Sequence, residues 1–353
     1  MDYTTAVRII EPTNNFDLLR LLAATQVALE HSAGYLDSPL YILSWISAIP
    51  GVPIFFFISG LLIYGSFTSS LSSDKPLRTF YVKRVLRLYP GLWVCFLFSA
   101  MLVWTSGFML ENPPSNIELL AWVGAQNSFF QFYNPEFLRA FGVGALNGVL
   151  WTIAVELQFY LLFPLLYRLL HLGWVPVLAT FLVFLIANHI NIFGNSLETT
   201  YEKLIGVSFV PWFYMFLLGA IAAHYQEVRL WVMRRNLFGL VTLLALLYLL
   251  SEVLDFPWGN RINFAGFGLV AMICFKLAFL KPGISDTYLK KNDISYGVYI
   301  YHMPIINFII YLYGGGAWQF YISMLLVFAC ATASWFFIER PSLRRKPFAS
   351  RRQ

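Results

Sequence analysis

Residues 237–254 read LFGLVTLLALLYLLSEVL, a stretch whose one charged side chain is Glu252. As a helix it would rise about 27 Å at 1.5 Å per residue, close to the ~30 Å hydrocarbon core of a bilayer. Arg234 and Arg235 precede it and Asp255 follows, so charge bounds the apolar run at both ends. It reads as a membrane span.

The rest of the chain repeats the pattern. Of 353 residues, 59% are hydrophobic and 12% charged, whereas a soluble domain carries about 25% charge. So little charge excludes disorder and a water-soluble enzyme. Cys95, Cys274 and Cys330 each lie in an apolar run without paired spacing, which excludes a disulfide scaffold and predicts no metal site. Ten helices are predicted near 16–34, 48–69, 88–109, 148–169, 172–190, 207–225, 237–254, 262–280, 295–313 and 318–338. The fold class is therefore all-α: a polytopic membrane protein with about ten transmembrane helices. It reads as one domain over residues 1–353, with a core over about 16–341 and a basic tail at 342–353.

Charge sets the topology. With the N-terminus inside and ten alternating spans, Arg139, Lys203 and Arg261 fall outside and Arg20 lies within a span. Every other residue among the 24 Lys and Arg falls inside. Such asymmetry is the positive-inside rule and predicts both termini cytoplasmic. It also assigns the net charge of +6 to lipid headgroups and topology, with no nucleic-acid partner. The opening MDYTTAVRIIEPTNN lacks the basic, apolar and small-residue succession of a cleaved signal peptide. The longest outer segment, 110–147, is rich in aromatics, Asn and Gln, and predicts a short interfacial helix over 116–130.

Ionisable side chains inside a bilayer cost at least about 2.5–3.5 kcal/mol at mid-depth, so they mark places to look. In the first helix Asp17, Arg20 and His31 share one stripe, because eleven residues make three turns plus about 20°. His31 lies about 16 Å along the axis from Arg20, toward the outer surface. The stripe fits either a catalytic set or a polar lock, with Asp17 and Arg20 as a buried pair. In LWTIAVELQFYLLFP, residues 150–164, Glu156 has Thr152 four before it and Tyr160 four after, on one face. It fits a base, a group orienting an imidazole, or helix glue. In the inner loop RTFYVKRVLRLYP, residues 78–90, Lys83, Arg84 and Arg87 cluster on one helical side at the membrane edge. Arg84 and Arg87 can fork onto phosphate or anchor anionic lipid. His302 sits mid-span in NDISYGVYIYHMPI, residues 292–305, as a functional or a core histidine. His171, His189 and His224 lie at predicted span ends and read as structural. No phosphate-loop, HExxH or GxSxG motif occurs.

Taken in order, six stretches resemble the acyltransferase 3 family of integral-membrane acyltransferases. They are FDLLRLLAA with His31 eleven residues after Arg20, GVPIFFFISGLLI (51–63), the R-x-x-R of Arg84 and Arg87, LWTIAVELQFYLLFP, ISYGVYIYHMP (294–304) and FFIERP (336–341). Each alone is weak; six in order, from residue 16 to 341, are specific. The resemblance implies O-acyl transfer, with acetyl from cytoplasmic acetyl-CoA as co-substrate and no bound cofactor. The acceptor would be a sugar hydroxyl of a cell-surface glycan, such as O-antigen, or a lipid-linked saccharide. It implies that Arg20 and His31 are needed for transfer, that Arg84 and Arg87, with Lys83 beside them, serve the donor, and that the protein sits in the inner (cytoplasmic) membrane. Glu156 joins the catalytic candidates, with Ser59, Trp151, Thr152, Tyr160, His302, Asp17 and Glu30 in supporting positions.

Two departures stand out: Glu30 precedes His31 where members often carry an apolar residue, and Leu157 stands where a second Glu is common. No fused esterase-like domain follows residue 353, so a partner would supply one where needed. An imidazole titrating near 6.5 suits a general base for a sugar hydroxyl. No Ser or Cys stands evidently beside a base, which favours direct attack over an acyl-enzyme. The alternative is a proton-coupled transporter or channel for an envelope-related solute. Intramembrane Arg, His and Glu and the IPGVP break at 49–53 suit that reading, though no inverted repeat relates the two halves.

Overall fold

The structure, a computed structural model, describes residues 14–36, 46–194 and 199–345. Arg8, the rest of the opening stretch to residue 13 and the basic tail from residue 346 lie outside the described residues. Regular structure among the described residues is helical throughout, with no strand. The principal helices are α1 (Phe16–Tyr35), α2 (Gly51–Ser70), α3 (Pro76–Thr105), α4 (Asn116–Gln126), α5 (Trp151–Leu170), α6 (Trp174–Phe193), α7 (Phe213–His224), α8 (Leu237–Leu254), α9 (Phe264–Phe279), α10 (Ser295–Tyr313) and α11 (Ala317–Ser334).

Each predicted span corresponds to one of these helices. Six helical stretches among the described residues are long and apolar enough to cross a membrane: Ile46–Ser70, Pro76–Thr105, Gly148–Leu170, Trp174–Phe193, Leu237–Leu254 and Ala317–Arg344. α7 and α9 are apolar but have only 12 and 16 residues. α1 and α10 have the length, 20 and 19 residues. Asp17, Arg20, Glu30 and His31 dilute the first, and tyrosines, His302 and Asn307 dilute the second. On α8, Phe238 and Val253 are 79% and 81% exposed, a surface suited to lipid and not to water. The chain is a multi-pass membrane protein.

One expectation changes. The predicted inner loop 78–90 is helical, because α3 begins at Pro76, where a missing N–H is harmless, and runs on through Pro90. Lys83, Arg84 and Arg87 share that helix, as their expected one-sided cluster requires.

The chain forms two compact units. The first comprises Met1–Ala23, Ala48–Phe80 and Val155–Lys291. Its core is the contact of α2 with α7. Gly60 faces the carbonyl of Phe216, and Gly219 faces that of Phe57, so closely that a Cβ at either would overlap backbone. Small residues let membrane helices approach in this way. Phe159 stacks on Phe216 at 4.5 Å beside the contact. Asn15 closes the end of α9: its Nδ2 donates to the carbonyls of Leu277 (3.2 Å) and Leu280 (2.9 Å), and its Oδ1 accepts from Ser285 N–H at 3.0 Å.

The second unit comprises Ala24–Ser47, Tyr81–Ala154 and Asn292–Gln353. It is built around α10, most of whose residues are buried. Gly297 brings α10 onto α11, where a Cβ would come 2.7 Å from Ala331 Cα. Tyr296 Oη donates to the carbonyl of Leu88 at 3.0 Å, and Cys95 Sγ to that of Ile300 at 3.2 Å, tying α3 to α10. The segment 110–147 folds on an apolar cluster of its own, with Val103, Phe108, Trp122, Leu138, Phe141 and Leu146 buried. Its helix α4 starts at a capping box: Ser115 accepts from Glu118 N–H, and the Glu118 carboxylate accepts from Ser115. It stops at Gln126, four residues before the predicted end, with Asn127 as C-cap.

Candidate active site

α1 and α10 present the two imidazoles of the second unit to each other. His31 Nδ1 and His302 Nε2 lie 2.9 Å apart, with ring planes 24° from parallel and centroids 5.2 Å apart. His302 is fully buried, and its Nδ1 lies 3.3 Å from the carbonyl of Val298. A carbonyl only accepts, so His302 Nδ1 carries the proton and, in the neutral pair, its Nε2 is an acceptor. His31 Nδ1 must then donate, which leaves the lone pair on His31 Nε2. Hydrogen bonding thus assigns both tautomers and aims one basic nitrogen away from the pair. Tyr35, tilted at 5.9 Å, flanks His31, and Tyr299 meets His302 edge-on at 5.9 Å.

In the first unit, Glu156 accepts from Ser59 Oγ at 2.7 Å and from Tyr160 Oη by a short bond. The i, i+4 relation to Tyr160 is realised as expected, and Ser59, in its motif, reaches the same carboxylate. Thr152 does something else: its hydroxyl donates to the carbonyl of Val149 at 3.0 Å and lies 2.8 Å from Tyr299 Oη. The hydroxyls on Glu156 are therefore those of α2 and of its own next turn. A carboxylate with two O–H donors is stable in apolar surroundings.

Arg87 forms an ion pair with Asp293, and both side chains are largely buried. Asp293 also accepts from the backbone N–H of Ser295 at 3.2 Å and from its hydroxyl, so it is fixed at the entry to α10. Lys83 and Arg84 stand on the same helix. Glu30 accepts from Gln26 Nε2 at 2.8 Å, four residues back. Asp17 and Arg20 lie in the first turns of α1, and Trp151 is the first residue of α5. Among the described residues no three His, Cys, Asp or Glu side chains group to hold a metal ion.

Three residues that the motifs did not single out hold these segments in place: Asp293, Asn147 and Asn307. Asn307 Oδ1 accepts from Val143 N–H at 2.7 Å, and its Nδ2 donates to the carbonyls of Ala145 (3.0 Å) and Leu146 (3.1 Å). Gly142, at φ +60°, packs on Asn307 where no side chain would fit. Asn147 Nδ2 donates to the carbonyl of Ile300 at 3.0 Å. The segment 142–147 is thus stitched to α10 on both sides of His302. The visible signal was an amide buried in an apolar helix, Asn307, which must find partners.

Against known proteins, the chain matches the acyltransferase domain family model over residues 13–338. It is 29% identical over 354 residues to nodulation protein 10 of Rhizobium leguminosarum bv. viciae, across 94% of this chain and 93% of that one. It is 26% identical to the O-acetyl transferase of Shigella phage Sf6, across 94% and 97% of the two chains. The peptidoglycan O-acetyltransferase OatA of Listeria monocytogenes is 23% identical over 84% of this chain, which spans 51% of that relative's length. No solved structure matches. Spanning nearly all of the described chain, the family match carries the conclusion: this protein belongs to that acyltransferase family and is a membrane acyltransferase.

Proposed function

We propose that the protein transfers an acyl group, most often acetyl, from acyl-CoA at the cytoplasmic face of the inner membrane to a sugar hydroxyl. The acceptor is a cell-surface glycan or a lipid-linked saccharide on the other side. The naming of relatives as O-acetyl transferase and peptidoglycan O-acetyltransferase supports the hydroxyl acceptor. One observation carries the chemistry: the His31–His302 pair, whose hydrogen bonds direct the His31 Nε2 lone pair outward.

In this reading His31 Nε2 takes the proton of the acceptor hydroxyl as its oxygen attacks the thioester carbonyl. The tetrahedral intermediate collapses with cleavage of the carbon–sulfur bond. The imidazolium then returns its proton to the departing CoA thiolate. His302 is a positioning residue, because it holds His31 in the productive tautomer. Arg20 stabilises the charge that develops on the thioester oxygen. Lys83, Arg84 and Arg87 receive the phosphates of CoA, a polyanion that stays at the inner face. Anchored by Asp293, Arg87 presents its guanidinium in one direction, and Arg84 stands one turn before it on the same helix. Glu156, bonded by Ser59 and Tyr160, is the second acid–base candidate.

The test is incubation of purified protein with radiolabelled acetyl-CoA and lipid and glycan extracts of its host. Label in a base-labile glycan fraction, present with wild type and absent with His31→Ala, is the expected result. Equal label with both proteins would remove His31 from the mechanism. Consumption of no acyl-CoA by wild type, under conditions where it binds CoA, would overturn acyl transfer to these acceptors.

A further inference from the structure

In the second unit α11 does not end at Ser334. A π-helical turn, Trp335–Glu339, and a last turn, Arg340–Arg344, continue it. The π turn is fixed from within the unit. Trp335 Nε1 donates to Asn292 Oδ1 and Ser334 Oγ to Glu339 Oε1, each at 2.9 Å, and Trp335 and Glu339 are buried. Phe336 and Phe337 are exposed instead, the latter by 77%. On that exposed flank lies a notch of about 570 Å³, open on one side, the size of a small-ligand site. Its lining runs from Leu325 to Phe337 and is apolar except for Thr332; the small side chains of Ala329 and Ala333 leave the space between the larger ones.

The flank has a length and a direction. From Leu325 to Phe337 a helix rises about 18 Å at 1.5 Å per residue. One leaflet holds about 15 Å of hydrocarbon, half of the ~30 Å core. The notch thus extends over about the depth of a single leaflet, and beyond it the helix turns cationic. The Arg340 guanidinium lies 5.8 Å from the centre of the Phe336 ring, within cation–π range, and Arg344 follows one turn later. Neither forms an ion pair with a carboxylate among the described residues, in contrast to Arg87 with Asp293. The charge asymmetry of the loops predicts this end to be cytoplasmic, the side on which anionic lipids concentrate. What covers such a flank must be apolar for about one leaflet and anionic where the arginines stand. A phospholipid has both parts in that order, and guanidinium groups match a phosphate by forked donation. A second copy of the chain is a poorer match, because an isologous contact through this face brings the same arginines of both copies together at one level.

We infer that the exposed flank of α11 and its last turn form a binding site for an anionic phospholipid, with an acyl chain along residues 325–337 and the phosphate held by Arg340 and Arg344. The site uses none of the residues of the proposed reaction and does not rest on the acyl-transfer reading.

The test uses full-length protein, delipidated in detergent. It is titrated with dioleoylphosphatidylglycerol and, separately, with dioleoylphosphatidylcholine, which has the same chains and no net charge. Bound lipid is counted by native mass spectrometry. One phosphatidylglycerol should bind saturably, about tenfold more tightly than phosphatidylcholine. The double change Arg340→Gln, Arg344→Gln should lower the affinity for phosphatidylglycerol about tenfold and leave that for phosphatidylcholine within about twofold. Ala333→Trp, at an exposed position, fills the notch without entering the core. It should weaken both lipids about three- to tenfold. Equal affinity of wild type for the two lipids, or phosphatidylglycerol binding untouched by the double change or by Ala333→Trp, would overturn the site. So would displacement of phosphatidylglycerol by CoA, which would assign the arginines to the donor. A wild-type dimer that Ala333→Trp dissociates would overturn it as well, by placing a second copy on this face. None of these readouts involves transfer.

Discussion

The protein holds two close pairs of imidazoles, one in each compact unit, and they differ in where their hydrogen bonds lead. In the second unit His31 and His302 bond nitrogen to nitrogen at 2.9 Å, and the chain ends on a buried backbone carbonyl. In the first unit His171 and His224 meet edge to face, with centroids 4.6 Å apart. His224 Nδ1 lies 2.8 Å from Tyr64 Oη, and His171 Nδ1 lies 2.8 Å from the carbonyl of Tyr167. The bonds of the first pair run in series and leave one basic nitrogen at the end. Those of the second run outward to separate partners at helix ends. Composition alone does not separate these pairs; the direction of their hydrogen bonds does.

The comparison breaks if the two pairs respond alike to substitution. His31→Ala should lower kcat by about 10²- to 10⁴-fold, the usual contribution of a general base, in a protein that remains in the membrane. The double change His171→Ala, His224→Ala should leave transfer within about twofold and cost about 1 kcal/mol of stability through lost hydrogen bonds. Thermal unfolding and labelled-acetyl transfer, measured on the same preparations, check both halves. Large loss of transfer in the double variant, with stability kept, would place the chemistry in the wrong unit.

His302 sharpens the contrast, because its proposed work is done through His31. His302→Leu should lower kcat about 10- to 100-fold, a typical effect of losing an orienting partner, with little change in either KM. His302→Gln returns an acceptor oxygen near the old Nε2 position and should recover part of the loss. A residue that only fills space would give the opposite order, since Leu packs in an apolar helix at least as well as Gln. The pH profile of kcat should shift in His302→Leu as well, since the base has lost its fixed tautomer.

Serial and locked arrangements also divide the two arginines of the R-x-x-R motif. Arg84→Ala should raise donor KM about tenfold with modest loss of stability. Arg87→Ala should in addition destabilise the protein by about 3 kcal/mol, because it leaves Asp293 largely buried without its cation. Adding Asp293→Asn should restore part of that stability and none of the donor affinity. Equal donor KM in wild type and Arg84→Ala would return the cluster to a lipid-anchoring role.

How much of this was readable in advance depends on the range of the interaction. Helix positions follow from local hydropathy: each of the ten expected segments contains a helix, although in 207–225 it covers only Phe213–His224, and six helical stretches are long and apolar enough to cross a membrane. The face shared by Glu156 and Tyr160 follows from helical periodicity and is found. Thr152 obeys the same spacing but bonds to Tyr299, 147 residues away, because a second helix offered a partner that periodicity cannot foresee. The start of α3 was read twelve residues late. Its basic first turns resemble a loop by hydropathy, whereas Pro76 at a helix start is a signal of another kind. His302 stood out as a polar residue in an apolar helix, but its pairing with His31 joins residues 271 apart. Asn307 offered the signal of an amide in an apolar helix, whereas Asp293 and Asn147 became visible only with their partners.

The smallest effect concerns α4, and it turns on pH. The backbone N–H of Ser115, and after it the Ser115 hydroxyl, hold the Glu118 carboxyl below its ordinary value. A depressed carboxylate favours folding while it is ionised. Its contribution is therefore present above the ordinary carboxylate pKa and fades as the pH falls through the lowered one. Glu118 lies at the surface and is only partly covered, so the change should be small and confined to fraying of the first turn of α4. Hydrogen-exchange protection of residues 116–119, corrected for intrinsic rate, should fall between neutral pH and about pH 3.5 in wild type. Glu118→Gln should already show lower protection at neutral pH and little further change on acidification. The imidazoles of both pairs lie on other helices, so acid fraying that persisted in Glu118→Gln would mean that the segment 110–147 responds to a group outside its own cap.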